Sequence, residues 1–295
     1  MNETNEKEDD ASEAIRRKGV PDGLFDKCMI QIRTAHSIGQ SLRTLFVLSG
    51  VFSDKMLYSE LLTQFYVVTE ALERLLEKHE PQLLSSLREQ YKGGFAKLYQ
   101  SDLQYLLENT NPPLCVADLT SSSAKKYIET IQSDISIENG QYRKEALIAG
   151  VFILWGPLII GGGAAMYPRV KSSYGLDATN VFTHVIGSGR SKRVQDFIDI
   201  YDALGTDKTL DFDKIVELSG KYMQCNNEMM VAVKRNPKWA YYALYGIIGV
   251  LGIGSVAYIF RDDLFHVSSK ISTISTSTSA FAKLVGLGSK IDSDL

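Results

Sequence analysis

Cysteine is scarce in this chain of 295 residues: Cys28, Cys115 and Cys225 are odd in number, far apart and without a CxxC pair. That spacing suggests neither a disulfide framework nor a zinc site, and it points to a reducing compartment. Histidine is as sparse. His36, His79, His184 and His266 are scattered and form no HExxH pair, so a metal site built from several histidines is not expected. Basic charge is not in excess either: 32 Lys and Arg against 35 Asp and Glu leave a net charge of −3, without the concentrated basic surface that phosphate binding needs. Nucleic acid is therefore excluded as an expected partner. The N-terminus, MNETNEKEDDASEAIRRKG, lacks the apolar core of a secretory signal, and residues 1 to 20 read as a disordered arm. There is no internal repeat and no alternation of strand with helix patterns, so the soluble part reads as all-α.

Apolar residues, by contrast, make up 44% of the chain, and two long runs stand out. Ala146 to Tyr167, ALIAGVFILWGPLIIGGGAAMY, carries no charge and is long enough to cross a bilayer. Pro157 and the triplet Gly161, Gly162, Gly163 fall inside it, and both residue types weaken a helix. Glycine without a Cβ also lets a backbone approach something flat and bulky. The run is thus either a membrane span or a kinked core helix lying against a ligand. Trp239 to Phe260 is different in kind. Its uncharged residues extend about 33 Å as a helix, the thickness of a hydrocarbon core. Aromatic residues crowd both ends, and Lys234, Arg235 and Lys238 precede it, which predicts a C-terminal anchor with the protein body in the cytosol.

Between these landmarks the pattern is helical. Phe25, Met29, Ile32, His36 and Gly39 share one face, which turns His36 inward. Ser53 or Asp54 can cap a helix that runs to Pro81, with Leu57, Leu61, Phe65, Val68, Leu72 and Leu75 as its core stripe. Residues 82 to 109 read as helix broken at Gly93-Gly94. Ser121 to Ser123 offer the next cap, Glu138 to Gln141 a turn, and RVQDFIDIYDAL and DFDKIVELSGKYMQCNNEMMVAV two more helices. After Pro168, the segment KSSYGLDATNVFTHVIGSGRS has loop or short-strand character, and its GSGRSK lacks the glycine spacing of a phosphate loop. The expected organisation is a helical domain over 21–235, a transmembrane anchor over 239–260 and a polar tail over 261–295.

The order of these pieces resembles heme oxygenase, an all-α family that uses heme as both cofactor and substrate. The resemblance begins at Arg33-Thr34-Ala35-His36, continues through Tyr66 and Ala71-Leu72-Glu73, and takes Glu145 to Gly163 as the distal helix, with Gly161-Gly162 as the paired glycine. The helices carrying Phe197 and Tyr201, and then Asn226, follow in order. The likeness covers about residues 22 to 232, and a C-terminal anchor is itself common among eukaryotic members. It implies that His36 is the iron ligand and that Arg33, Tyr66, Phe152, Leu158 and Asn226 contact the cofactor. Gly161 and Gly162 then crowd the reacting face, so that Ala146 to Tyr167 is the distal wall rather than a span. The implied products are biliverdin, carbon monoxide and iron, made with O2 and electrons from an NADPH-dependent flavoprotein reductase. The implied location is the endoplasmic reticulum membrane, with the mitochondrial outer membrane second.

Three positions depart from that family. Its usual distal pattern is Gly-Asp-Leu-Ser-Gly-Gly, whereas this chain reads Pro157-Leu158-Ile159-Ile160-Gly161-Gly162, so Leu158 stands where the acid holds water. Basic residues that meet the heme propionates would fall at Ile198 and Asp202, and neither is basic. These departures keep open a heme-binding or scaffold protein without turnover, and the uncharged run Ala146 to Tyr167 keeps open a protein with two membrane spans.

Overall fold

The computed structural model describes residues 22–80, 82, 94–108, 110, 113–136, 142–183, 185–186 and 189–233. The chain divides into two compact units, Met1–Tyr241 and Tyr242–Leu295, and every described residue belongs to the first. The N-terminal arm, the turn at 138–141, the anchor at 239–260 and the tail at 261–295 lie outside the described residues.

Helix α1 (Leu24–Leu48) buries Phe25, Cys28, Ile32, Leu42 and Phe46 along one face and ends at Gly50, whose φ of 86° only glycine adopts at no cost. Helix α2 (Lys55–His79) starts where its cap was expected: the Asp54 carboxylate accepts hydrogen bonds from the amides of Met56 and Leu57. Of its expected stripe, Leu57, Leu61, Val68 and Leu72 are buried, while Phe65 and Leu75 are partly covered. Helix α3 (Ala96–Leu107) packs on α2 and is held there by Glu73, which accepts hydrogen bonds from the amides of Phe95 at 2.8 Å and Ala96 at 3.1 Å. A short turn, α4 (Val116–Leu119), leads to α5 (Ser122–Ile135), capped by the Ser121 hydroxyl.

The centre of the fold is α6 (Lys144–Leu154), in which every residue from Ala146 to Leu154 is buried. Around it pack α2, α5 and the last described helix, α10 (Phe212–Val231), which also lies along α1. At Gly39 of α1 an added Cβ would stand 2.8 Å from the Asn227 side chain of α10, so glycine permits this approach; Asn227 in turn donates to the Ala35 carbonyl at 2.8 Å. The long apolar helix is therefore a core element, its most apolar window 72% buried within the fold.

The segment after Pro168 corrects one sequence expectation. Helix α7 (Gly163–Tyr174) runs straight through Pro168, and a 3₁₀ turn (Leu176–Ala178), α8 (Asn180–Thr183) and α9 (Arg190–Leu204) follow. No named strand occurs among the described residues, and the single isolated bridge joins Ser136 to Tyr142. Helicity wins there because Asp102 of α3, wholly buried, accepts hydrogen bonds from the amides of Asn180 and Val181 and fixes the start of α8.

Candidate functional site

The long helix changes its winding where proline and glycine meet. Pro157 has no N–H to give the preceding turn, and Leu158–Gly162 forms a five-residue π-helical segment before α7 resumes. A wider turn leaves carbonyls poorly partnered, and Arg190 at the start of α9 donates to the Ile160 carbonyl at 3.0 Å. The three glycines then do different things. A Cβ on Gly163 would lie 2.5 Å from the Val185 side chain and 2.6 Å from the Leu158 carbonyl oxygen, so this glycine is demanded by packing. On Gly162 it would stand 2.9 Å from the Pro157 carbonyl oxygen and 3.9 Å from the Arg43 guanidinium. On Gly161 it would meet nothing within 4 Å, so the backbone there faces open space.

Beside this segment lies a cavity of about 290 Å³ between the C-terminal half of α1, the N-terminal half of α2, the π segment and α10. Leu61, Leu62, Ile153, Leu154 and Met230 give it apolar walls. Among the described residues its charged lining is Arg43 and Arg169, and no described carboxylate lines it. Two buried polar atoms on its wall, the Tyr58 hydroxyl and Asn226 Oδ1, have no hydrogen-bond partner among the described residues. Buried polar atoms in native folds are nearly always satisfied, so these two are what a ligand or water would meet.

The residues expected to form one site are only partly gathered here. Leu158, Gly162 and Asn226 line the cavity, and Gly161, next to Gly162 in the chain, is exposed and outside its lining. His36 lies half-buried on α1, two turns before Arg43 on the same side of the helix, and is not in the cavity wall. Burial and then the Arg43 charge push its pKa below the ordinary histidine value, which keeps the imidazole neutral near pH 7. Arg33 is exposed. Tyr66 is buried on α2, its hydroxyl donating to Glu70 at 3.1 Å, and it does not reach the cavity. Phe152 is core: its ring packs edge-on against Phe25 and Tyr201, with centroids 5.7 and 5.2 Å away.

No protein-family model and no curated protein sequence matches the chain. Solved structures do. Heme oxygenase-2 from Synechocystis, in complex with heme and NO, aligns with a TM-score of 0.58 at 16% identity over 81% of this chain and 92% of that one. Heme oxygenase 2 from Chlamydomonas reinhardtii, solved without heme, gives 0.58 at 21% identity over 73% and 99%. The fold is that of heme oxygenase. The enzyme from Leptospira interrogans aligns likewise, with a TM-score of 0.56 at 18% identity over 70% and 98% of the two chains.

On this heme oxygenase fold the departures acquire structural roles. Ile198 is a buried core residue of α9. Asp202 accepts a hydrogen bond from the Phe25 amide at 3.2 Å and so helps to hold the start of α1. Sequence reading missed Arg43, although its place seven residues after His36 puts it two turns along the same face. It also missed Arg190 and Asp102, whose partners are distant in sequence and carry no local signal.

Proposed function

We propose that this protein binds heme between α1 and the π-helical segment and cleaves it to biliverdin, carbon monoxide and iron. The observation that carries the reading is the break at Leu158–Gly162, which on a heme oxygenase fold bares the Gly161 backbone to open space. The donor set suits the cofactor. His36 supplies a neutral imidazole, which is the form that ligates iron. Asn226 offers an unsatisfied carbonyl oxygen on the cavity wall. Bound heme supplies the iron at which O2 is activated and the porphyrin edge that is attacked. His36 would hold the iron, and the glycine backbone at Gly161 and Gly162 would crowd the group. The apolar walls of the cavity keep bulk water away, and electrons come from an NADPH-dependent flavoprotein reductase. The uncharged stretch Trp239 to Phe260 anchors the chain in the endoplasmic reticulum membrane with the helical body in the cytosol.

A second reading, heme binding without turnover, is favoured by Leu158 on the cavity wall and by the lack, among the described residues, of a lining carboxylate to hold a proton-donating water. One experiment separates the two. The full chain in nonionic detergent is titrated with heme, beside His36→Ala, and then supplied with reductase, NADPH and O2. A saturable one-to-one spectrum that loses its histidine-ligated character in the variant, followed by bile pigment, supports the oxygenase. The same spectrum with no pigment, from reductase or from ascorbate, leaves the non-catalytic reading. No saturable spectrum in folded protein refutes both.

A further inference from the structure

Arg43 is the most unusual side chain in the cavity. It is partly buried, burial depresses its pKa, and it makes no hydrogen bond or ion pair among the described residues. Its guanidinium reaches across from α1 to the π segment at Gly162. The other lining cation, Arg169, is exposed and sits over the Phe52 ring at 5.9 Å. A partly buried guanidinium set among apolar walls lacks a counter-charge that a bound ligand can supply. No lining side chain among the described residues supplies it.

The chemistry of the missing partner follows from the walls and the fork. Apolar walls select a ligand that is mostly hydrocarbon or aromatic, and the planar five-donor head of arginine matches a carboxylate in two-point geometry. Meanwhile the two positions on α9 where a heme oxygenase is expected to offer bases hold buried Ile198 and Asp202, the latter engaged with α1. We propose that Arg43 anchors a ligand carboxylate inside the cavity, and that for heme this is one of the two propionates. The assignment rests on the heme-binding reading only for the identity of the ligand. A free long-chain fatty acid presents the same apolar body and the same charge.

The test uses the full chain in nonionic detergent and follows quenching of tryptophan fluorescence, to which buried Trp155 on the helix leading into the break contributes. Heme, heme dimethyl ester and dodecanoate are titrated into wild type, Arg43→Gln, Arg43→Lys and Arg33→Gln. Circular dichroism melts check that each variant folds, and removal of an unpaired charge leaves the Arg43→Gln melt no lower than wild type. Esterification is expected to weaken wild-type binding at least tenfold, with that preference for the free acid lost in Arg43→Gln, partly kept in Arg43→Lys and fully kept in Arg33→Gln. A preference that survives Arg43→Gln, or that Arg33→Gln abolishes instead, overturns the proposal while the heme reading stands. Dodecanoate binding that needs Arg43, with no heme binding, upholds the carboxylate anchor and refutes the heme reading. Binding of neither class by wild type overturns both.

Discussion

The three consecutive glycines allow the sharpest test of where a ligand lies. Alanine at Gly163 places a methyl carbon 2.5 Å from the Val185 side chain and 2.6 Å from the Leu158 carbonyl oxygen. The side chain can yield but the backbone cannot, so overpacking of about 1–3 kcal/mol is expected. Alanine at Gly161 meets nothing within 4 Å. There the loss of glycine's backbone freedom acts alone and is worth about 0.5–1 kcal/mol in favour of the folded state. For a helical body of this size, 1 kcal/mol moves Tm by about 2–4 °C, so the two substitutions diverge by several degrees in opposite directions. Thermal unfolding of the ligand-free protein measures this. Heme titration of the same two proteins adds the functional half: the more stable Gly161→Ala variant binds heme at least tenfold more weakly, because its methyl group stands in the space the porphyrin needs. Equal heme affinity in Gly161→Ala and wild type, or a lower Tm for Gly161→Ala than for Gly163→Ala, would refute the assignment of that open space to a ligand.

Burial raises the Asp102 carboxyl from 3.8 to about 6, so the native state holds that proton more tightly than the unfolded chain does. Its contribution to stability is full below pH 4 and is lost as pH rises through 6, on the order of 2–3 kcal/mol in all. Urea midpoints at several pH values should show a fall that Asp102→Asn flattens, and an unchanged slope in that variant would count against the assignment. Glu73→Ala leaves the buried amides of Phe95 and Ala96 without an acceptor and should cost about 2–3 kcal/mol in chemical denaturation. A cost under about 0.5 kcal/mol would mean the two amides find other partners. Asp202→Arg places a base where heme oxygenases are expected to have one, yet it removes the acceptor for the Phe25 amide. It is expected to lower stability by about 1 kcal/mol and not to tighten heme binding. Tighter heme binding in that variant would show that Asp202 opposes the ligand.

Local signals in the sequence carried the fold further than they carried the site. Asp54 and Ser121 announced their helices because a cap acts on amides two or three residues away, and the stripe from Leu57 to Leu72 is visible because one helix displays it. The segment after Pro168 was misread for the converse reason. Its helicity depends on Asp102, which lies 78 residues from Asn180. Asp202 illustrates the same limit: as a bare position it reads as a repellent for a propionate, and only the approach of α1, 177 residues away, reveals an acceptor for an amide. Of the two aromatics expected at the cofactor, Phe152 packs between helices against Phe25 and Tyr201, while the Tyr66 hydroxyl bonds Glu70 one turn along its own helix; an aromatic on an apolar helix has the same signature in either place. Arg43 was legible in principle, from its spacing to His36.

The π-helical segment has a consequence for how this chain tolerates insertion and deletion. A wide turn carries one residue more than an ordinary one in nearly the same rotation and length, so it absorbs the roughly 100° and 1.5 Å that one more residue would add to a regular helix. Deleting one residue within Leu158–Gly162 would let the helix close into regular winding with all that follows facing as it does now. Ala165, Met166 and Arg169 would stay on the cavity wall. What such a deletion removes is the widened turn itself and the bared backbone at Gly161. It would leave helix content and the cavity wall almost untouched while closing the opening in the helix.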